Sequence, residues 1–183
     1  MAAIRSLISA TLVSCAVVVG AFTGAPAGAV VVQNCVSSHL SVRAGAPQGT
    51  AGTSYYPLIF TNHGPACALW GVPQVQPVVG GRGHSRAPVG PAARNASMGE
   101  MPARLIVGTA HAVSDAFGVV ESSNYPANGC RARTAFAVLV SLAPFVAPTL
   151  VPLKISVCTR RASTTTRLLS LGAGGVGAPP RAG

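Results

Sequence analysis

The chain has 183 residues, of which 13 are Lys or Arg and only 3 are Asp or Glu, giving a formal net charge of +10 at neutral pH. Charged residues are 9% of the chain, against about 25% in typical soluble domains. The three acids, Glu100, Asp115 and Glu121, are too few and too scattered to indicate the carboxylate pair of a glycoside hydrolase. The positive charge favours anionic surfaces, such as phosphate-bearing wall polymers or lipid head groups.

Residues 1–29 have the three zones of a secretory signal peptide. Arg5 supplies the positive charge, residues 7–22 are apolar, and small residues follow. Ala27-Gly28-Ala29 matches a small-x-small cleavage pattern, so the predicted mature protein begins at Val30. The apolar run is short for a bilayer span of roughly 20 residues, which favours cleavage and predicts no transmembrane span in the mature chain.

Cys15 offers an alternative fate, because Leu12-Val13-Ser14-Cys15 resembles a bacterial lipobox. A lipid on Cys15 would anchor the protein as an accessory protein instead of releasing it. The chain stays apolar over residues 16–22, where a lipoprotein usually becomes polar. Cleavage is therefore favoured, and a second cleavage pattern is present at Ala25-Pro26-Ala27.

The mature region shows strand patterns and almost no helix, since apolar and β-branched residues alternate between turn signals. A helix competes only over residues 110–121, where Gly118 and the Val-rich end favour a strand. Residues 80–101 read as a long loop with one short edge strand near Val89. The predicted strands cover residues 39–43, 54–61, 67–72, 74–79, 104–107, 110–121, 134–142 and 152–158. This number of short strands predicts an all-β, antiparallel sandwich over residues 30–158.

Residues 159–183 are rich in Gly, Ala, Ser, Thr and Arg, which predicts a flexible basic tail. Anionic components of the cell envelope are its expected partners, through the attraction between opposite charges. Nucleic acid is not expected, because no basic stretch is interleaved with aromatic residues and the protein is predicted to be exported. The tail contains four arginines, Arg160, Arg161, Arg167 and Arg181.

Four cysteines remain when Cys15 is set aside, and an even number in an exported chain predicts two disulfides. We expect Cys35 to pair with Cys67 and Cys130 with Cys158, each closing a loop of about 30 residues that contributes roughly 3 kcal/mol to stability. Four cysteines allow three connectivities, and a Greek-key sandwich can also bring the early and late cysteines together.

Ser85 lies in Gly83-His84-Ser85-Arg86-Ala87, one residue short of a Gly-x-Ser-x-Gly nucleophile elbow. His111 and Asp115 are the partners that a triad would need. The elbow requires a helix after the serine, and residues 88–91 contain two prolines that start a helix poorly. A secreted hydrolase that uses Ser85 is therefore an alternative, and no catalytic residue is assigned.

The histidines do not have the short spacings of metal ligands, so neither a metal site nor a cofactor site is predicted. A site would have to be assembled from distant loops. The four histidines are His39, His63, His84 and His111.

Residues 35–75 carry a series of motifs that continues more loosely to Cys158. An apolar strand ends in Thr61-Asn62-His63-Gly64, and Cys67-Ala68-Leu69-Trp70-Gly71-Val72-Pro73-Gln74-Val75 follows it. Together with Cys35 and Ala51-Gly52-Thr53, this series resembles a secreted actinobacterial family known as domain of unknown function 4232. Later, residues 105–112 resemble the family's strand, glycine turn and alanine-led strand.

The resemblance implies export, an immunoglobulin-like sandwich and no assigned activity. Two positions depart from the family pattern: Val72 stands where an aromatic residue is usual, and Gly108-Thr109 lacks the usual Pro-Gly turn. We therefore expect an exported, non-enzymatic β-sandwich that acts as a binding module or associates with the cell envelope.

Overall fold

The structure, a computed structural model, describes residues 31–50, 52–81, 83, 85–108, 115–123 and 130–171. Within these ranges the regular secondary structure is all β-strand, apart from a short 3₁₀ turn at Ser37–His39. The predicted signal peptide and Cys15 lie outside the described residues. The strands are β1 (Leu40–Ala44), β2 (Gln48–Thr50), β3 (Thr53–Asn62), β4 (Cys67–Leu69), β5 (Gln74–Gly80), β6 (Ser85–Pro88), β7 (Arg94–Asn95), β8 (Leu105–Val107), β9 (Asp115–Ser123), β10 (Ala132–Leu142), β11 (Val146–Cys158), β12 (Thr164–Thr166) and β13 (Ser170–Leu171).

The larger sheet is built around β3 and β9, which pair antiparallel from Thr53–Ser123 to Thr61–Asp115. Its order is β1-β3-β9-β12-β7, with β2 added to β3 and β13 added to β9. Buried and partly exposed residues alternate along β9, as expected for a strand with one face on the core. The pair β12–β7 is parallel, so the prediction of a wholly antiparallel fold is wrong at this edge.

The second sheet has the order β11-β10-β5-β6, and β4 pairs with β8 in a separate two-stranded ribbon. The long strands β10 and β11 form an antiparallel hairpin from Ala132–Cys158 to Leu142–Val146. At the edge of the sheet, β11 carries Pro148, Pro152 and Lys154. Proline and lysine on an edge strand discourage pairing with other chains.

One cluster of buried side chains contains residues from both sheets. Phe60 on β3 and Val120 on β9 belong to the same cluster as Val140 on β10 and Ile155 on β11. The two sheets therefore share a single apolar core. Apolar burial of this kind is the main force that stabilises a domain.

Trp70 packs at the margin of this core. Its ring contacts Phe145 edge to face, with 4.5 Å between the ring centroids. The guanidinium of Arg104 lies 5.7 Å from the centroid of the Trp70 ring, within the range of a cation–π contact. The Trp70 segment thus links the β4–β8 ribbon region to the turn between β10 and β11.

Most of the predicted strands have ends within three residues of the observed ones, but β11 begins at Val146, six residues before its predicted start at residue 152. The strand predicted at 67–72 ends at Leu69, because Gly71 has a positive φ of 113°, a backbone conformation outside the β-region. The strand predicted at 110–121 is described from Asp115 onwards, where β9 runs to Ser123. Residues 110–114 lie outside the described part of the chain.

Four very short strands, β2, β7, β12 and β13, were not predicted. The turn expected after residue 43 contains β2, which folds back on β3. The loop expected at 80–101 contains β7, which is only two residues long, and β6, which lies where the short edge strand near Val89 was predicted. Strands of this length carry no periodic signal, because their existence depends on a partner that is distant in sequence.

The segment after Cys158 is corrected most clearly. Residues 159–183 were expected to form a flexible tail, but β12 and β13 both pair with β9. Residues 172–183 lie outside the described part of the chain. Leu169 is 5% exposed and belongs to the core cluster. The folded domain therefore extends to at least Leu171, beyond the expected boundary at Cys158.

Both disulfides have the expected pairing. Cys35 is bonded to Cys67, with 4.8 Å between Cα atoms, and Cys130 to Cys158, with 5.3 Å. The second bridge joins the start of β10 to the end of β11, where the hairpin partners Ala132 and Cys158 meet. Its position follows from the antiparallel pairing of these two strands.

Candidate functional site

A cleft of about 280 Å³ lies at one end of the larger sheet. Its floor comes from residues that are adjacent across strands. Glu121 on β9 lies opposite Thr165 on β12, and Thr165 lies opposite Arg94 on β7. Cross-strand partners project from the same face of a sheet, so these three side chains form one row.

A second row completes the floor. Thr53 lies opposite Ser123 in the β3–β9 pairing, and the Ser123 amide donates to the Ser163 carbonyl oxygen at 3.2 Å. The Cys130–Cys158 disulfide and residues 161–163 line the remaining wall. The cleft is thus enclosed by a sheet surface and by the turn that follows β11.

The turn after β11 is held in place by hydrogen bonds. The Cys158 amide donates to Ser163 Oγ at 2.9 Å, and the Thr159 amide donates to the Arg131 carbonyl oxygen at 3.0 Å. The disulfide lies immediately beside both contacts. Arg161 is therefore presented by a braced turn at the mouth of the cleft.

The one carboxylate in the cleft is fully engaged. Glu121 Oε1 accepts a hydrogen bond from Arg167 Nε at 2.8 Å, and Oε2 accepts one from Thr165 Oγ1 at 2.9 Å. The Glu121 side chain is 18% exposed. Its charge is balanced by Arg167 and both its oxygens have donors, so it does not offset the other arginines of the cleft.

Arg94 and Arg161 form no ion pair with any described residue. The whole chain has only three acids, so the residues outside the described ranges contain no side-chain carboxylate. Neither Glu100 nor Asp115 forms an ion pair with a described residue, and Asp115 lies six positions from Glu121 on β9, roughly 20 Å away. The two arginines thus leave the cleft with uncompensated positive charge.

The chemistry of this arrangement is the binding of an anion. Guanidinium groups bind carboxylates and phosphates through paired N–H donors. The described lining residues include hydroxyl groups at Thr53 and Ser163 and contain no aromatic ring. The cleft can therefore recognise the charged group of a ligand, while stacking on a sugar or base is not provided.

The predicted catalytic alternative is not brought together by the described residues. Ser85 begins β6, and its Oγ accepts a hydrogen bond from the Ala87 amide at 3.3 Å. Asp115 begins β9 in the other sheet, with Oδ1 buried and without a partner. His111 lies outside the described residues. A strand follows Ser85 in place of the helix that a nucleophile elbow requires.

A different serine and histidine are in contact, and the sequence did not indicate them. Ser41 Oγ lies 2.7 Å from His63 Nε2 on the exposed face of the larger sheet. Asp115 is opposite Thr61, which in turn is opposite Ser41, so a strand separates the acid from the serine. The pair lies outside the cleft residues, and we assign it no chemistry.

The motif Thr61-Asn62-His63-Gly64 has a structural role. Buried Asn62 donates from Nδ2 to the carbonyl oxygens of Pro65 at 2.8 Å and Val107 at 3.1 Å. Its Oδ1 accepts a hydrogen bond from the Gly64 amide at 3.0 Å. Asn62 therefore fixes the turn after β3 and ties it to β8.

No group of three or more His, Cys, Asp or Glu side chains within the described ranges could hold a metal ion. The cleft was not predicted from the sequence, because no motif or spacing marks the residues that line it. Arg94, Glu121 and Arg161 come from three distant segments, one of which was expected to be a loop and one a tail. Only strand pairing brings them together.

Comparison with known families identifies the chain. Residues 35–170 match the family model described as domain of unknown function (DUF4232). The chain belongs to this family. No curated protein and no solved structure matches it.

The matched range of this DUF4232 domain includes both disulfides and extends through β12 to the start of β13. It therefore contains Leu169 and every lining residue of the cleft. The family boundary agrees with the structural one, and both lie beyond the expected end at Cys158.

Proposed function

We propose that this DUF4232 protein is an exported, non-enzymatic binding module that associates with anionic components of the cell envelope. The observation that carries the proposal is the cleft with Arg94 and Arg161, whose charges no acid of the chain offsets. Near an anionic surface each basic residue contributes about 1 kcal/mol of attraction. Two such residues would strengthen association by roughly thirtyfold, from the same estimate.

Export is supported by two independent features. The first is the predicted signal peptide of residues 1–29. The second is the use of four cysteines in two disulfides, which persist in oxidising compartments outside the cytosol. We place the protein in the secreted fraction or the envelope of an actinobacterium, as the resemblance implies.

We infer that the domain is a sandwich of the immunoglobulin-like type. Two sheets contribute to one core, and the outer strands of both are short or carry proline and lysine. In such sandwiches binding sites lie at the ends, where loops and turns cluster. The cleft occupies an end of this kind, formed by the turn after β11 and the start of β10.

Envelope association is tested by co-sedimentation of the purified protein with isolated cell envelopes. The wild-type protein is expected to sediment at low salt and to be released as salt rises, because exposed charges are screened. The double substitution Arg94→Ala with Arg161→Ala is expected to reduce the bound fraction strongly.

The matched control is Arg43→Ala with Arg86→Ala, which removes the same charge from exposed positions on β1 and β6. This control is expected to bind almost as well as the wild type. Equal sedimentation of all three proteins at low salt would contradict a role for the cleft and with it the proposal.

The absence of serine hydrolase activity is part of the same proposal. A fluorophosphonate probe, which modifies activated serines, is expected to leave the purified protein unlabelled, while an established serine hydrolase in the same experiment is labelled. Stoichiometric labelling that disappears in Ser85→Ala would establish the alternative function.

A further inference from the structure

We infer that the cleft beside the Cys130–Cys158 disulfide is a site for a phosphate group. This inference rests on the proposed function and specifies the chemical class of its ligand. Wall polymers, lipid head groups and phosphate esters all carry a phosphate group. The cleft would recognise this shared group. The inference follows from the number and type of the hydrogen-bond donors that line the cleft.

The cleft offers donors and almost no acceptors. Arg94 and Arg161 each provide several N–H groups without a described ionic partner. Ser163 Oγ already accepts from the Cys158 amide, which leaves its hydroxyl hydrogen available to a ligand. Thr53 makes no hydrogen bond to a described side chain.

The acceptor that would disfavour an anion is already occupied. Both oxygens of Glu121 receive hydrogen bonds, from Arg167 and Thr165. An incoming anion therefore does not meet an unsatisfied carboxylate. The Glu121–Arg167 pair also keeps Arg167 away from the ligand position, so the positive charge is concentrated on Arg94 and Arg161.

The donors come from separate segments of the chain, which favours a ligand with several oxygens over one that a single guanidinium satisfies. Arg94 is on β7, whereas Arg161 lies in the turn after the disulfide, and both line the cleft. A carboxylate has two oxygens in one plane, and a single guanidinium satisfies both. A phosphate group presents oxygens in several directions and can accept from both arginines and the two hydroxyls together.

The cleft volume of about 280 Å³ leaves room for a substituent on the phosphate. The described lining residues contribute no aromatic platform for a ring. The structure thus favours recognition of the phosphate itself, with the attached polyol or glycerol held more loosely. Binding would be specific for the charged group and tolerant of what carries it.

The test is a titration of the purified, isotopically labelled protein, followed by amide chemical shifts at constant ionic strength. The probes are inorganic phosphate, a soluble glycerol phosphodiester, acetate, and vesicles with or without phosphatidylglycerol. Saturable shifts are expected at Ser123, Ser163 and Thr165 with phosphate and the phosphodiester. Acetate is expected to bind more weakly.

The three phosphate sources are distinguished by which probe binds most tightly. Preference for vesicles with phosphatidylglycerol identifies a lipid head group, preference for the phosphodiester identifies a polymer, and preference for inorganic phosphate identifies the free ion. Each of these results supports a phosphate site. Acetate binding as tight as phosphate binding would overturn it.

Variants distinguish phosphate binding at the cleft from non-specific attraction by the net positive charge of the protein. Arg94→Ala and Arg161→Ala are each expected to weaken phosphate binding by about tenfold or more, as loss of a charge-assisted hydrogen bond does. Arg94→Lys, which keeps the charge but loses the forked donor, should weaken it by a smaller factor. Arg43→Ala and Arg86→Ala should leave binding unchanged.

Equal weakening by the control variants, or no saturable shift at the cleft, would overturn the inference. Envelope sedimentation separates this failure from failure of the proposed function. If the Arg94 and Arg161 variants lose envelope binding while phosphate produces no cleft shifts, the binding module stands and the phosphate assignment is wrong.

Discussion

Asn62 is a single buried amide that holds two elements together. Its side chain is 6% exposed and satisfies carbonyl groups on its own turn and on β8. Because Val107 is itself fully buried, its carbonyl oxygen has no easy access to water. The cost of leaving such a group without a donor is larger than the net value of the bond itself.

We predict that Asn62→Ala lowers the free energy of unfolding by about 2–4 kcal/mol, since it leaves several carbonyl groups and the Gly64 amide without partners. Urea denaturation measures the change. His63→Ala is the control, because His63 is adjacent but exposed, and a change within about 0.5 kcal/mol is expected there. Equal effects of the two substitutions would contradict this role of Asn62.

Gly108 is constrained both by its backbone and by this asparagine. Its φ is 96°, and a Cβ atom at Gly108 would lie 2.3 Å from Asn62 Nδ2. Gly99 has a similar φ of 86° but no atom within 4 Å of its Cβ position. Substitution by alanine would therefore strain the backbone at both glycines, but only at Gly108 would the new Cβ atom also clash with another side chain.

We predict that Gly108→Ala destabilises the domain by more than Gly99→Ala does. Gly99→Ala should lose about 1 kcal/mol, the penalty for a positive φ in a residue with a side chain. Gly108→Ala should lose that amount and a further contribution from the displaced Asn62 side chain. Thermal unfolding of both variants measures the difference, and indistinguishable melting temperatures would refute it.

At the scale of elements, the segment after Cys158 shows where composition is a poor guide. Gly, Ala, Ser and Thr are frequent in tails, but here Thr164 and Thr166 are buried, at 1% and 2% exposed. Their hydrogen-bonding partner β9 lies more than forty positions earlier. A three-residue strand has too little periodicity to predict, so long-range pairing alone decides its structure.

We predict that Leu169→Ala lowers the free energy of unfolding by about 2–4 kcal/mol, the usual effect of truncating a buried leucine. Leu171→Ala is the matched control, because Leu171 is 45% exposed and should change stability little. Chemical denaturation gives both values. If Leu169→Ala were as harmless as its control, β12 and β13 would not belong to the cooperative fold.

Several of the strands that the sequence did predict are long and have a partner nearby in the chain. β3 runs over ten residues and pairs with β1, and β10 and β11 form one hairpin. The disulfide between Cys130 and Cys158 could be predicted because it closes the open end of this hairpin. The cleft could not be predicted. Arg94 and Glu121 become neighbours only through the order of strands β9, β12 and β7, and Arg161 lies in the turn that leads into β12.

For the whole molecule, one disulfide joins the N-terminal segment to β4 and the other closes the β10–β11 hairpin. Cys35 is fastened to β4, and Cys130 is fastened to the last residue of β11. The paired cysteines are separated by 32 and 28 positions, respectively. Cross-links across loops of this size each contribute about 3 kcal/mol by restricting the unfolded chain.

We predict that replacing Cys130 and Cys158 with serine destabilises the domain by about 3 kcal/mol. The same change should reduce envelope binding through the cleft, because the disulfide braces the turn that presents Arg161. Replacing Cys35 and Cys67 should destabilise the domain by a similar amount but leave envelope binding unchanged. Denaturation and envelope sedimentation of both variants, compared under conditions where each is folded, measure the two effects. Equal loss of binding in both variants would contradict bracing of the cleft by the second disulfide.

Contacts near the N-terminus of the domain bear on where the proposed signal peptide would be removed. The Ala68 amide donates to the Gln33 carbonyl oxygen at 2.8 Å, and the Cys35 amide donates to the Ala68 carbonyl oxygen at 3.0 Å. Arg104 Nη2 also donates to the Val32 carbonyl oxygen at 2.6 Å. The tightly held part of the chain therefore begins two residues after Val30.

We predict that the protein recovered from culture filtrate begins at or near Val30, because cleavage after Ala29 removes the apolar segment and keeps every contact of Val32, Gln33 and Cys35. N-terminal sequencing and intact mass measure the processed end. An Ala29→Leu substitution, which spoils the small-x-small pattern, should shift or block cleavage. If the recovered protein instead begins at a diacylated Cys15, it is anchored by lipid. The prediction of release after cleavage near Val30 would then be wrong.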